Sequence, residues 1–583
     1  MVTDKNKTVK RCPQCNRLEA EDTLTFCRVD GSPLTNEARY TSEELGTIRL
    51  GSAPVSDEKK TSFLPQPVTT NSVSDTTAQS TPQPTAKARP ITRELPKHKK
   101  RLAFMAIGVL LILALVSSAY VYLKTKNRVP IQSIAVMPFI NESGNADVDY
   151  LSDGMTETLI SSLSQLTNLN VKARSSVFAY KGKETRPQTI GKELNVQAIL
   201  NGRFAQRGDQ LTLTLELVDA QTENVIWSEQ YNRPQADLVK LQTDIARDVS
   251  SKLRTKLSGE DEQKLAKTYT RNPEAYKLYL QGRFYWGKRE EKDLKTAIDY
   301  FNQAIVLDAN YALAYAGLAD SYALLASFNF LPPTEAIPKA RGFALKSLSL
   351  DGSLAEPHTT LGLALLQFDF DFVGAELEYK RALELNPNYA TAHQWYGELL
   401  TCAGRFDEAG TEFRRALELE PLSLPINWDY GRFFYHSRRF DEAITQHKKT
   451  IELDPGFARA HRTLVEVYRF KKDYPNAIEE MARYFEVRGQ PENATLVRDT
   501  FAKGGWTAYL QLAVAADSPL KERNWVKAKA YLELGDKDKA MDELSAGYEA
   551  HESTLSWIKV EPQLDPLRSD PRFQELMHKM RLP

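Results

Sequence analysis

The chain has 583 residues, and its 76 Lys plus Arg balance 76 Asp plus Glu, so the formal net charge is zero. That length exceeds what one core serves and points to about three or four folded units, while the balance excludes a global drive towards nucleic acid or acidic lipid. Four cysteines are too few for a disulfide-rich secreted scaffold; three lie within the first 27 residues and Cys402 stands alone.

Residues 1–35 carry "CPQCNRLEAEDTLTFCRVDG". Cys12-x2-Cys15-x11-Cys27 has metal-ligand spacing, with Asp30 where a fourth cysteine would stand. Zn²⁺ takes four ligands in a tetrahedron and accepts sulfur or carboxylate oxygen, so Asp30, or water in its place, completes a small knuckle; a degenerate, metal-free stub is the alternative. The stretch resembles short bacterial zinc ribbons of the form Cys-Pro-x-Cys…Phe-Cys-x-x-Asp-Gly, which implies a structural or docking role. No dense Lys/Arg–aromatic face accompanies it, so nucleic acid is an unfavoured partner. Residues 36–101 are rich in Ser, Thr, Pro and Gln and lack the apolar surface to fold, which makes them a linker.

"LAFMAIGVLLILALVSSAYVYL", residues 102–123, has 22 residues without charge or proline. As a helix it is roughly 33 Å long, enough to cross a bilayer. Tyr120 and Tyr122 suit the interface. Five basic residues flank its start (Arg93, Lys97, Lys99, Lys100, Arg101) and three its end (Lys124, Lys126, Arg128), which favours an N-terminus inside. The cysteines then face a reducing cytosol, and about 455 residues lie outside a bacterial cytoplasmic membrane.

From residue 131 to 258 the pattern is that of an α/β sandwich. "SIAVMPF" is a buried strand, and Met155, Leu159, Ile160, Leu163 and Leu166 share one helical face, with Ser152 or Asp153 as its cap. "NVKARSSVFAY" reads as strand and turn, "PQTIGKELNV" as a helix. A meander turns at Arg207-Gly208-Asp209, with Leu211, Leu213, Leu215 and Leu217 on one face by alternation. Asp149, Asp153 and Glu157 read as capping and dipole complement rather than catalysis, and the module holds no His or Cys to act as base or nucleophile. From Gln132 to about Leu253 these phrases resemble the TolB-amino-terminal-like domain. The resemblance implies a module that, in bacterial signalling proteins, sits between an effector and tetratricopeptide repeats; relatives carry a kinase or cyclase where this chain has ribbon and linker.

Residues 270–490 repeat with a period of 34: Pro387, Pro421 and Pro455; Gly397 and Gly431; Ala409, Ala443 and Ala477. Small residues let paired helices approach, and Tyr396, Leu400, Phe406 and Phe413 fill between them. This resembles the tetratricopeptide pattern, most strongly over Ala390–Pro455. Residues 491–583 hold a further copy from near Lys521 and a tail that caps the last pair. The frame places Gln394, Glu398, Trp428, Arg432, Tyr435, Arg459, Arg462, Glu466 and Arg469 in the groove, a set suited to an extended peptide or acidic segment; ordinary solvated helix faces are the alternative. Gln394 and Glu398 stand where chaperone-binding repeats place Lys and Asn, which disfavours a chaperone tail. No phosphate loop, His-Glu-x-x-His, Gly-x-Ser-x-Gly or kinase catalytic loop occurs, and no small-molecule substrate is evident. The expectation is a non-enzymatic, single-pass membrane scaffold or signalling sensor that binds protein or peptide; the alternative is a membrane-tethered regulator whose ribbon contacts nucleic acid.

Overall fold

The computed structural model describes residues 10–11, 18–19, 35–36, 131–145, 148–166, 168–253, 258–328 and 330–582. The expected ligands Cys12, Cys15, Cys27 and Asp30, the linker and the span 102–123 lie outside the described residues. Among the described residues no helix is long and apolar enough to cross a membrane. The chain divides into two units, Met1–Val129 and Pro130–Pro583. In the first, β1 (Lys10–Arg11) pairs antiparallel with both β2 (Leu18–Glu19) and β3 (Thr35–Asn36).

The second unit starts with a sheet of order β6-β4-β7-β8-β9, β5 adding to β7. Strand β4 (Ser133–Val136) lies parallel to β6 (Asn170–Val171) and to the first half of β7 (Ala198–Arg207); β5 (Ile140–Asn141) runs parallel to its second half. Ile134, Ala135 and Val136 are all fully buried, the mark of a central strand covered on both faces. Strands β7, β8 (Gln210–Asp219) and β9 (Val225–Pro234) form the expected meander. Gly208 supplies the positive φ of 58° that the two-residue turn between Arg207 and Gln210 requires. Leu211, Leu213, Leu215 and Leu217 face the core while Thr212, Thr214 and Glu216 alternate with them.

Helix α1 (Asp149–Ser164) covers the sheet with Leu151, Met155, Leu159, Ile160 and Leu163. The expected caps Ser152 and Asp153 instead lie inside it and are buried; Val148 precedes the first turn. The segment read as a turn after β6 is a short helix, α2 (Arg174–Phe178), and α3 (Pro187–Leu194) follows as expected. Helix α4 (Leu238–Lys252) buries Leu238, Leu241, Ile245 and Val249, spaced by three and four, and α5 (Gly259–Ala266) opens with a capping box between Ser258 and Asp261. Each fully buried Leu or Ile contributes about 1.5–3 kcal/mol.

Six helix pairs follow: α6/α7 (Pro273–Trp286, Glu291–Leu307), α8/α9 (Ala312–Ser327, Pro333–Leu350), α10/α11 (Ala355–Gln367, Phe372–Leu385), α12/α13 (Ala390–Cys402, Phe406–Leu419), α14/α15 (Leu424–His436, Phe440–Leu453) and α16/α17 (Ala458–Phe470, Tyr474–Val487). In each of the middle pairs a glycine of the first helix meets a ring of the second. A Cβ on Gly362 would lie 2.7 Å from Tyr379, on Gly397 3.1 Å from Phe413 and on Gly431 2.4 Å from His447. A polar clamp also recurs between paired helices: His393 to Glu412 at 2.6 Å, Asn427 to Gln446 at 2.8 Å and His461 to Glu480 at 2.6 Å. Helix α18 (Pro491–Val514) kinks at Gly505 (φ 66°), α19 (Asn524–Glu533) and α20 (Lys537–Glu549) form the further pair, and two 3-10 turns (Ser553–Trp557, Pro562–Leu567) lead to α21 (Pro571–Lys579).

Candidate functional site

First helices of stacked pairs line the concave face of a repeat superhelix, and here that face is filled by the chain itself. At the N-terminal half the α/β domain occupies it. Glu157 of α1 receives the Arg283 guanidinium of α6, and Arg174 of α2 approaches the same carboxylate at 3.1 Å. Asp153 pairs with Lys181 at 2.6 Å, and Asp149 accepts from Asn141 at 2.7 Å. The three carboxylates read as helix-start complements thus hold neighbouring side chains, and Glu157 joins the domain to the first repeat. The Arg283 guanidinium lies 3.9 Å from the Trp286 ring and that of Arg289 3.6 Å, so the indole stacks against two cations.

Further along, Asn388 donates its amide to the carbonyls of Ser164, Leu166 and Leu169 at 3.0–3.1 Å, tying off the end of α1. Lys172 donates to the carbonyl of Glu418 and Ser175 to the Glu420 carboxylate, both at the end of α13. Burial, then the neighbouring Arg415, pushes the Lys172 ammonium down to about 8.

The expected groove residues fall into two groups. Gln394, Glu398, Trp428 and Arg432 bond sideways along the floor. Gln394 donates to Asp429 (2.7 Å), Gln367 to Glu398 (3.2 Å), Trp428 to Thr463 (2.9 Å), and Arg432 pairs with Asp429 (3.0 Å). Burial, with Asp429 nearby, pushes the Glu398 carboxyl up to about 7. The second group is covered by the C-terminal segment. Tyr435 donates to Glu561 (2.6 Å), Arg462 pairs with Glu522 (3.0 Å), Arg469 with Glu533, and Glu466 accepts from Lys529 (2.8 Å) and Gln563 (2.7 Å). Arg459 stacks on Phe328 across the groove at 4.1 Å, and burial lowers its guanidinium to about 10. Burial alone would raise the Glu466 carboxyl, yet Lys529, Arg469 and Arg462 outweigh it and hold it well below the usual range.

The cover is a core in its own right. Leu555, Trp557, Ile558, Leu564, Leu567 and Phe573 pack with Phe370 and Cys402 of the repeats. Trp557 stacks on His436 at 4.3 Å and lies 4.1 Å from the Arg432 guanidinium; His551 stacks on Phe368 at 4.2 Å. The open peptide groove expected from the 34-residue frame is therefore replaced by an internally occupied one. The 34-residue frame names helix faces, but a period does not say which chain will lie on them. The residues that sequence reasoning missed are Lys529, Glu533, Glu561 and Gln563, whose signal was polar side chains interrupting the apolar spacing of the tail. Among the described residues no group of three or more His, Cys, Asp or Glu is placed to hold a metal ion.

Comparisons with known proteins match parts of this architecture. Residues 131–248 fit the family model "HilA/YgeH-like transcriptional regulator, second domain", the stretch whose phrases resemble the TolB-like domain. Residues 378–411 and 403–456 fit tetratricopeptide repeat models. A putative adenylate cyclase 3 of Rhizobium meliloti is 31% identical over 238 residues, 40% of this chain and 40% of that one. The transcriptional regulator HilA of Salmonella typhimurium is 26% identical over 132 residues, 23% of this chain and 24% of its own. The chain thus spans well under half the length of these curated relatives. Among solved structures, a thermophilic TPR protein of Thermus thermophilus is 18% identical with a TM-score of 0.28, covering 33% of this chain and 98% of its own; yeast Tom70 is 16% identical with a TM-score of 0.33, covering 59% and 82%. The chain carries a tetratricopeptide scaffold of the protein-binding type, preceded by an α/β domain.

Proposed function

We propose that the protein is a non-enzymatic, single-pass membrane scaffold or signalling sensor whose joined α/β domain and repeats bind a protein or peptide partner. The observation that carries this reading is the seating of α1 and α2 on the repeat face, through Glu157–Arg283 and Asn388, so that a partner on either part is felt by both. The names of the relatives support a regulatory module: one is named for a cyclase and another for transcriptional regulation, two different outputs beside partly shared sequence. The TolB-like reading of residues 132–253 belongs to the same proposal. Because Tyr435, Arg462 and Arg469 hold the chain's own C-terminal segment, we place the partner's contacts outside that half of the groove. Photo-crosslinkers at exposed Val373 and at Arg462 test this in cells. Crosslinks to a second protein from residue 373 support the reading, and crosslinks from residue 462 alone contradict it.

Residues 102–123 are proposed as the anchor, with the N-terminus cytoplasmic, and Cys12, Cys15, Cys27 and Asp30 as Zn²⁺ ligands. Three thiolates and one carboxylate form an acceptable donor set. An impermeant thiol reagent and protease on intact cells test the topology: protected cysteines with a shaved region after Leu123 support it, and the reverse sinks it. Metal analysis of the purified chain tests the ligands, with stoichiometric zinc expected and loss of zinc on Cys12→Ser. The second reading is a ribbon that contacts nucleic acid; a salt-dependent gel shift abolished by Cys12→Ser would support it.

A further inference from the structure

A cavity of about 80 Å³ lies where α1, α4 and α5 meet the first repeats. It has room for about five to eight water-sized groups. Its wall carries Glu157, Asp320 and Glu356, and these carboxylates are unequally partnered. Glu157 is held by Arg283 and Arg174; Asp320 accepts from the Thr360 hydroxyl at 2.7 Å and faces Arg283 at 3.8 Å. Lys267, also in the wall, is taken by Asp351 and Ser353 at 2.6 Å. Glu356, in the first turn of α10, makes no ion pair or side-chain hydrogen bond among the described residues; burial, reinforced by Asp320, raises its carboxyl against the lowering by its own backbone N–H and by Arg283.

The phenols show the same asymmetry. Tyr276 is bonded to Gln242 and to Thr158. Tyr279 and Tyr311 line the cavity at 7% and 0% exposure, their rings 5.2 Å apart, and neither hydroxyl has a hydrogen-bond partner among the described residues.

We propose that this cavity binds a small organic cation with N–H donors, a primary amine of about half a dozen non-hydrogen atoms, whose ammonium is received by Glu356 and the phenol oxygens of Tyr279 and Tyr311. A carboxylate and two phenol oxygens are acceptors for an ammonium's three donors, and the tyrosine faces favour a cation. An anion would meet Asp320 and Glu356. A hard divalent cation would want six or more oxygen ligands, and the one free carboxylate does not supply them. This inference stands apart from the partner-binding reading, and either can fail alone.

Isothermal titration of the full-length chain with butylamine, putrescine, choline and, as a neutral isostere, butanol tests it. One amine per chain is expected to bind, with butanol silent and choline weaker. Glu356→Gln should weaken amine binding at least tenfold, about 1.4 kcal/mol, with an unchanged circular dichroism spectrum and melting temperature; Tyr311→Phe should weaken it less. Glu384→Gln, on an exposed helix face, should change nothing. No heat from any amine at millimolar concentration, butanol or choline binding as well as butylamine, or full affinity in Glu356→Gln would each overturn the assignment.

Discussion

The two halves of the concave face are filled by different parts of the chain. On the N-terminal side the α/β domain shares one continuous apolar core with the first repeats, Leu280, Phe301 and Leu318 clustering with Leu151 and Leu159, and polar ties reinforce it: Glu157 with Arg283, Asn388 on three carbonyls, Lys172 on the end of α13. On the C-terminal side an apolar segment around Trp557 and Phe573 closes over Phe370 and Cys402, with buried ion pairs beneath it. The same repeat geometry underlies both. What differs is the covering element: a folded α/β domain that shares the core of the first repeats on one side, and a C-terminal segment laid over buried ion pairs on the other.

The comparison is broken most severely at Phe573. Phe573→Ala removes a fully buried ring from the sealing core and is expected to cost about 3–5 kcal/mol. Urea unfolding should show that loss, and the Cys402 thiol, buried in the same core, should become reactive under native conditions; an unchanged midpoint would mean that the segment is not sealed down. Next in size is Glu466→Gln, which leaves Lys529 and Arg469 buried without their shared carboxylate and should cost roughly 3 kcal/mol. Since the folded carboxyl is held low, its contribution is complete above the unfolded value of about 4.3 and is lost as pH falls below it. The variant should therefore show a flatter acid limb than the wild type.

Asn388→Ala probes the N-terminal half. It strips three buried carbonyls of their donor and should cost about 1–3 kcal/mol, with faster hydrogen exchange at the end of α1 and no change around Trp557. Exchange that quickens equally in both halves would erase the distinction drawn here. The last effect concerns a single repeat and shows only in acid. His447 fills the slot that Phe413 fills one repeat earlier, yet neither ring nitrogen has a hydrogen-bond partner among the described residues, and burial lowers its imidazole to about 3. The unfolded chain binds a proton that the folded chain refuses, so stability is full above about pH 6.5 and falls by about 1.4 kcal/mol per unit below it. His447→Phe should remove that slope between pH 6 and 4 and raise stability at the acid end, measured by urea midpoints across pH.

The repeats and the meander were legible because their signals are local. Pro421, Gly397 and Ala409 recur with helical geometry, and Leu211 to Leu217 alternate with a strand's. Helix α2 was not legible, because "RSSVF" is too short to show a period. The roles of Asp153 and Glu157 were hidden for a different reason: their partners Lys181 and Arg283 lie 28 and 126 residues away, and long-range ion pairs leave no mark in spacing. The same holds for the groove, where Tyr435 meets Glu561 across 126 residues. Its aromatic and arginine content suits an extended or acidic segment; that the chain's own C-terminal segment lies on it is a fact of tertiary structure.

Hydrogen exchange across residues 550–582 of the full-length protein tests the central claim most directly. If the segment seals the groove, amides around Trp557 and Leu567 will be protected to the same degree as those of α14 and α16, and all will exchange together on global unfolding. Rapid exchange of 550–582 while α14 and α16 remain protected would contradict the account and return Tyr435, Arg462 and Arg469 to an open groove.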